Sequence, residues 1–195
     1  MRTVKTFMLI AALTIAAAAA STAQAADAYN VDAAHSSIVF KIGHNGVGEV
    51  FGRFNAYTGS FEYDTETGLV SNMKVAVRAD SVDTGIEARD NHIKNQDFFN
   101  ANQFREITFT SKSTTKADDG SLSVTGDLTY RGQTKPVTVK LNVIGSRNTG
   151  RQGFRTGFSA AFTMKRSDYG DTYGTANGSL SDEVTFMIGL QGVRQ

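Results

Sequence analysis

Eight separate segments of this chain alternate apolar and polar residues with period two, and short polar links join most of them. Alternation of that kind gives each segment one apolar face, as a half-buried β-strand requires. In residues 36–44 the face is Ile38, Phe40 and Ile42. Residues 50–63 keep a less clean phase, and Gly52 and Gly59 mark bends or bulges there. Residues 69–79 set Leu69, Met73, Val75 and Val77 against Asn72, Lys74 and Arg78. Ile107 and Phe109 mark the fourth segment, 106–113, and Leu122, Val124, Leu128 and Tyr130 the fifth. Val137, Val139, Leu141 and Val143 follow, then Phe154, Phe158, Phe162 and Met164, and last Val184, Phe186, Ile188 and Leu190.

The links at 64–68, 118–120 and 131–134 are turn-like, and Asp119-Gly120 is a strong hairpin signal. Short links force sequential strands to pair antiparallel. Pro136, the one proline, opens a strand, where its missing N–H does least harm. Eight antiparallel strands with one apolar face each close as a barrel or stack as a sandwich. Several segments run to about ten residues or more, on the order of 35 Å at about 3.3 Å per residue. A barrel built from them has a deep bore, and Phe40, Phe109, Tyr130, Phe158, Phe162 and Phe186 are its expected lining. A narrow apolar tube suits a long hydrocarbon chain; the same aromatics also suit a dry core.

Two links are long. Residues 166–181 carry Gly170, Gly174 and Gly178, and loops of that length are often lids or rims. Residues 84–104 are the one stretch of the mature chain that reads as helix. Thr84 and Glu87 have capping-box spacing, and Ile86 and Ile93 share a face. A lone helix in an all-β chain plugs an end or covers an edge, so this one is expected at one end of the tube.

Residues 1–25 read as a secretory leader: Arg2 and Lys5, an apolar run from Phe7 to Ala20, then the small-x-small site Ala23-Gln24-Ala25. The run is short for a membrane span, and a chain without cysteine has no site for a lipid anchor of the lipobox type. The expected location is a bacterial periplasm, with residues 26–195 forming one domain. Arg2 and Lys5 are the only charges in the leader, so 20 basic residues become 18 in the mature chain, against 19 acidic. That near-neutral balance gives no electrostatic reason to bind nucleic acid or an anionic membrane surface.

The chemistry-bearing residues are few. His35 and His44 are nine residues apart and point to opposite faces of a regular strand, and no HExxH motif is present, so no metal is expected. There is no GxSxG elbow. The glycine-rich run 43–48 links two strands and opens no helix, which makes it a poor phosphate cradle. Asn177-Gly178-Ser179 fits a glycosylation sequon but reads as loop. Arg166-Ser167-Asp168-Tyr169-Gly170 is either a rim element or a turn with an Arg–Asp pair.

Several of these pieces fall in a recognisable order. Tyr29, Asp32, His35-Ser36, Ile38, Phe40, Ile42, His44 and Gly46 open the mature chain. Arg89-Asp90-x-His92-Ile93-Lys94-x-x-Asp97-Phe98-Phe99 follows, then Phe104-x-x-Ile107-x-Phe109-x-Ser111. Gly126-x-Leu128-Thr129-x-Arg131-Gly132-x-Thr134-Lys135-Pro136-Val137 and the 166–170 run complete the set, over nearly all of the mature chain. Together they resemble the YceI-like family of bacterial periplasmic proteins. The resemblance implies an all-β fold: an extended eight-stranded antiparallel barrel, lipocalin-like, with one short helix. It also implies a long cavity for a polyisoprenoid chain, an isoprenoid quinone or another long-chain amphiphile, with no cofactor beyond that ligand and no established enzyme activity.

Strand phase and position in these motifs make Phe40, Phe98, Phe99, Phe109, Phe158 and Phe162 the expected tail-binding residues. Arg89, His92 and Lys94 are the expected head-group residues. Two other readings stay open. A lipid-acting enzyme would use His92 with Asp90 or Asp97 as acid or base. An outer-membrane barrel would need an apolar outer band, against which Lys74, Arg78, Lys140 and Arg155 argue. A homodimer through an exposed edge or the helix is left open.

Overall fold

The computed structural model describes residues 26–195; the expected leader lies outside them. The strands are β1 (Asp27–Val31), β2 (Ser37–His44), β3 (Gly48–Phe54), β4 (Tyr57–Asp64), β5 (Leu69–Arg78), β6 (Val82–Asp83), β7 (Glu106–Lys116), β8 (Leu122–Tyr130), β9 (Gln133–Asn148), β10 (Phe154–Lys165) and β11 (Leu180–Arg194). One α-helix, α1 (Glu87–Ile93), lies between β6 and β7. All pairings are antiparallel.

These strands form eight staves of a closed barrel. β1 with β2, β3 with β4, and β5 with β6 are each one stave with a kink, and β11 closes the ring by pairing with both β1 and β2. The eight alternating segments expected from the sequence are therefore the eight staves. Their outward positions carry exposed charges such as Lys74, Arg78 and Lys140. The alternation is strictest in β8, where Leu122, Val124, Leu128 and Tyr130 are all buried.

Three local readings need correction. The first stave starts earlier than expected, at Asp27. Its two parts are separated by a 3-10 turn, Ala33–His35, whose first residues are capped by Asp32 accepting from the Ala34 N–H at 3.1 Å. The kink stays stapled to β11: Asp32 N–H donates to the Gln191 carbonyl at 2.7 Å, and Gln191 N–H donates to Ser36 Oγ at 2.9 Å. The second stave bends at Asn55-Ala56 rather than at its glycines. In the third, Val70 is the fully buried residue and Leu69 only packs against the edge of the same cluster, because Asn72 takes a positive φ of 49° and shifts the phase before Met73. Asn adopts that left-handed conformation at lower cost than most residues.

One end of the barrel is packed shut. Tyr29, Phe61, Tyr63, Val70, Leu122 and Phe158 form a buried layer there. The Tyr29 and Phe61 rings stack at 5.2 Å, and Phe158 meets the Phe61 and Tyr63 rings edge-on at 5.3 and 5.4 Å. Such offset and edge-on pairs each add about 0.5–1.5 kcal/mol beyond area burial. The layer acts as a floor.

Helix α1 stands at the opposite end, as expected, but its entry differs. Its N-cap is Ile86 and carries no side-chain cap bond. Thr84 instead donates from its backbone N–H and its hydroxyl to Asp90 Oδ1, at 2.9 and 2.5 Å. Asp90, not Glu87, is the carboxylate that reaches back. The helix ends after two turns, and the rest of the expected helical stretch is a series of turns. Arg131 in the β8–β9 hairpin donates to the Gln96 and Phe98 carbonyls and ties those turns to the barrel.

Candidate functional site: an apolar bore with a polar patch

Above the floor the barrel encloses a cavity of about 560 Å³. Its walls follow from register. Phe162 pairs with Phe186, Phe186 with Phe40, and Phe40 with Gly52, so one row crosses four staves. Phe162 and Phe186 stack at 5.2 Å, and Phe40 meets Phe54 at 5.6 Å. Gly52 ends the row for a steric reason: a Cβ there would lie 2.3 Å from the Phe40 ring. On the far wall Phe109 pairs with Val75 and Leu128. Isoleucine, valine and leucine side chains, with Met73 and Met164, make up most of the remaining apolar wall.

Of the expected tail residues, Phe40, Phe98, Phe99, Phe109 and Phe162 border this cavity. Phe158 does not: at 1% exposure it belongs to the floor beneath. Strand phase put Phe158 on the inner face correctly, but phase carries no information about depth along the bore. Of the expected head-group residues, Arg89 and His92 border the cavity and Lys94 does not. Arg89 is turned into its own loop, donating from Nε to Thr84 Oγ1 and from Nη2 to the Thr84 carbonyl, each at 2.7 Å. His92 Nε2 lies 3.0 Å from Asp97 Oδ2, and its ring meets Phe98 and Tyr173 edge-on.

Sequence reasoning named Tyr130 as lining and Arg166 as part of a rim element, but it missed Asp171, which joins the two into one polar patch at the cavity wall. Arg166 and Asp171 are 3% and 1% exposed. Arg166 Nη1 donates to Asp171 Oδ1 at 2.7 Å, and Tyr130 Oη donates to Asp171 Oδ2 at 2.7 Å. The other guanidinium nitrogens hold the loop: Nε and Nη2 donate to the Ser181 carbonyl at 3.1 and 2.9 Å, and Nη2 also to the Tyr173 carbonyl at 3.1 Å. The expected pair within the 166–170 run is thus Arg166 with Asp171, one residue past the run, while Asp168 is exposed. Gly170, at a φ of 75°, turns the chain so that Asp171 comes back under Arg166. Burial pushes the Asp171 carboxyl above its ordinary value, against the bonds from Tyr130 and Arg166 that favour its charged form. Burial and the neighbouring Asp171 push the Tyr130 phenol up as well. Among the described residues, no three His, Asp or Glu side chains converge as metal ligands.

The sequence and the fold both have close counterparts. The YceI-like domain model matches residues 29–191. A UPF0312 protein of Pseudomonas paraeruginosa is 37% identical over 190 residues, covering 95% of this chain and 97% of its own. The crystal structure of the Campylobacter jejuni YCEI protein superposes with a TM-score of 0.71 at 29% identity, over 76% of this chain and 88% of that one. A polyisoprenoid binding domain from Saccharophagus degradans has the same fold, with a TM-score of 0.66 at 18% identity over 87% of this chain and 99% of that one.

Proposed function

This chain belongs to the YceI-like family, and on that premise we propose that its barrel binds the tail of a long-chain isoprenoid lipid, a polyprenyl species or an isoprenoid quinone, in the periplasm. The observation that carries the reading is the bore itself: about 560 Å³ of space, walled by apolar side chains and closed by an aromatic floor. A void of that size between apolar walls forfeits dispersion contacts that a bound chain restores. At about 30 Å³ per water-sized group it seats on the order of twenty methylene-sized groups.

The magnitudes favour a long tail. Each buried methylene contributes about 0.8 kcal/mol. Association costs about 4–15 kcal/mol in lost freedom and ordering, so a short hydrocarbon gains too little to stay. Phe40, Phe99, Phe109 and Phe162 are the wall the tail would touch, and the head would sit by α1 and the loop between β10 and β11. The named ligand class of the Saccharophagus domain supports the same choice.

We read the protein as a binding protein rather than an enzyme. The His92–Asp97 pair, the arrangement most like an acid–base couple, lies at the rim with side chains 42% and 39% exposed, and it braces α1 against the turn that follows. An apolar interior with charged outer positions is also the inverse of a membrane-inserted barrel. Carriage, storage and protection of lipids all fit this structure.

The test is organic extraction of the purified native protein followed by mass spectrometry. A stoichiometric isoprenoid species supports the reading. An empty extract, together with no uptake of added isoprenoids by folded protein, would overturn it.

A further inference from the structure

The one ion pair buried at the cavity wall, Arg166 with Asp171, is already cancelled, and that bears on which head group fits there. Arg166 is neutralised by Asp171, both almost fully buried, whereas His92 and Asp97 lie out at the rim. Arg89 is linked to Asp90 through the Thr84 hydroxyl, which accepts from Arg89 and donates to Asp90. Lys94 lies off the cavity wall. A phosphate or pyrophosphate head placed at the Arg166–Asp171 patch would lose its hydration beside a guanidinium already matched by a carboxylate, a cost that charged groups cannot recover from neutral partners alone.

The buried patch has hydrogen-bonding capacity left for a neutral head. A guanidinium has five N–H donors. Those of Arg166 on Nε and Nη2, with one on Nη1, are taken by Ser181, Tyr173 and Asp171, which leaves one Nη1 donor. Tyr130 Oη spends its proton on Asp171, so its lone pairs remain to accept. One donor and one acceptor, on groups hydrogen-bonded to the two oxygens of the same Asp171 carboxylate, are the complement of a hydroxyl group. We propose that Tyr130, Asp171 and Arg166 form a head-group site for an uncharged, hydroxyl-bearing isoprenoid and discriminate against the phosphate ester of the same tail.

Asp171 is the residue that sets this preference. Its carboxylate cancels Arg166 and repels an incoming anion, and it orients the Tyr130 hydroxyl so that the lone pairs are presented. The inference rests on the reading of the bore as an isoprenoid site, and the experiment separates the two. Delipidated mature protein is titrated with geranylgeraniol, with geranylgeranyl monophosphate and with the headless hydrocarbon of equal length, each displacing a bound environment-sensitive fluorophore.

The alcohol should bind at least about tenfold tighter than the phosphate, the size of one hydrogen bond to a charged group. In Asp171→Asn the uncancelled guanidinium should shrink or reverse that ratio. In Tyr130→Phe the affinity for the alcohol should fall towards that for the hydrocarbon, with hydrocarbon affinity unchanged. Should Asp171→Asn fail to fold by circular dichroism, the wild-type ratio and the Tyr130→Phe arm decide. Equal or tighter binding of the phosphate by wild type overturns the head-group site and leaves the barrel reading standing. Failure of all three ligands to bind overturns both.

Discussion

The ring of Phe158 meets that of Phe61 edge-on with centroids 5.3 Å apart, and this contact separates the filled end of the barrel from the open bore. Phe158 and Phe162 are four residues apart on β10, share an inward face, and yet have different surroundings: one sits in the floor, the other on the cavity wall. Truncation should tell them apart. Phe158→Ala leaves a void in a packed layer and should cost about 3–5 kcal/mol. Phe162→Ala removes a ring that already borders empty space, so it should cost clearly less while lowering the amount of co-purifying lipid. Urea denaturation and lipid extraction of the two variants measure both quantities.

Acid should weaken the kink of the first stave. Arg155 on β10 donates from Nη1 to Asp32 Oδ2 at 2.5 Å, and this bond, helped by His35, holds the Asp32 carboxyl near pH 2 against the opposing effect of burial. A carboxyl depressed in the folded state contributes stability that is fully present above its ordinary value of 3.8 and is lost as pH falls towards about 2. Stability measured by denaturant between pH 6 and pH 2 should therefore drop through the lower part of that range. Asp32→Asn should flatten this drop and, by leaving the Arg155 guanidinium without its carboxylate, cost on the order of 2 kcal/mol at neutral pH.

The expected leader has a direct readout. Protein recovered from expressing bacteria should appear in osmotic-shock fluid without detergent, and its first residue by N-terminal sequencing should be Ala26. Recovery only from the membrane fraction, or an intact Met1, would remove the periplasmic assignment.

Most of the barrel could be read from period-two patterning, because in a meander each stave pairs with its chain neighbours and a hairpin link fixes the register. The strand readings that failed are those where the backbone departs from the period. Asp27–Val31 went unseen because the turn at Ala33–His35 separates it from β2 and leaves too few residues to show a phase. Asn72 inverted the parity at Val70 by adopting a positive φ. Within the site, Phe40, Phe109 and Phe162 were legible because each is set by the phase of its own strand, whereas Phe98 and Phe99 stand in the turns after α1 and were legible only from the motif they belong to. The contact of Tyr130 with Asp171 was not, because it joins residues 41 apart through a loop turned by Gly170. Periodicity has nothing to say about where a loop carboxylate comes to rest.

Gly52 is where the wall of the bore is most sensitive to a single methyl group. A Cβ there would lie 2.3 Å from one atom of the Phe40 ring and 2.9 Å from Thr84 Cγ2, closer than real contacts allow. Gly52 sits on β3 with ordinary strand pairing to Phe40, so the backbone itself can accept alanine. What must give is the Phe40 ring, which is held by Phe54 on one side and Phe186 on the other and has the cavity as its free direction. Gly52→Ala should therefore cost about 1–3 kcal/mol, the usual range for overpacking, and push the ring into the space proposed for the tail. Lipid content after extraction should fall although the fold is kept by circular dichroism. Pairing the change with Phe40→Leu, which removes the collision, should restore both stability and lipid content; unchanged lipid content in Gly52→Ala would mean that the Phe40 row is not part of the occupied bore.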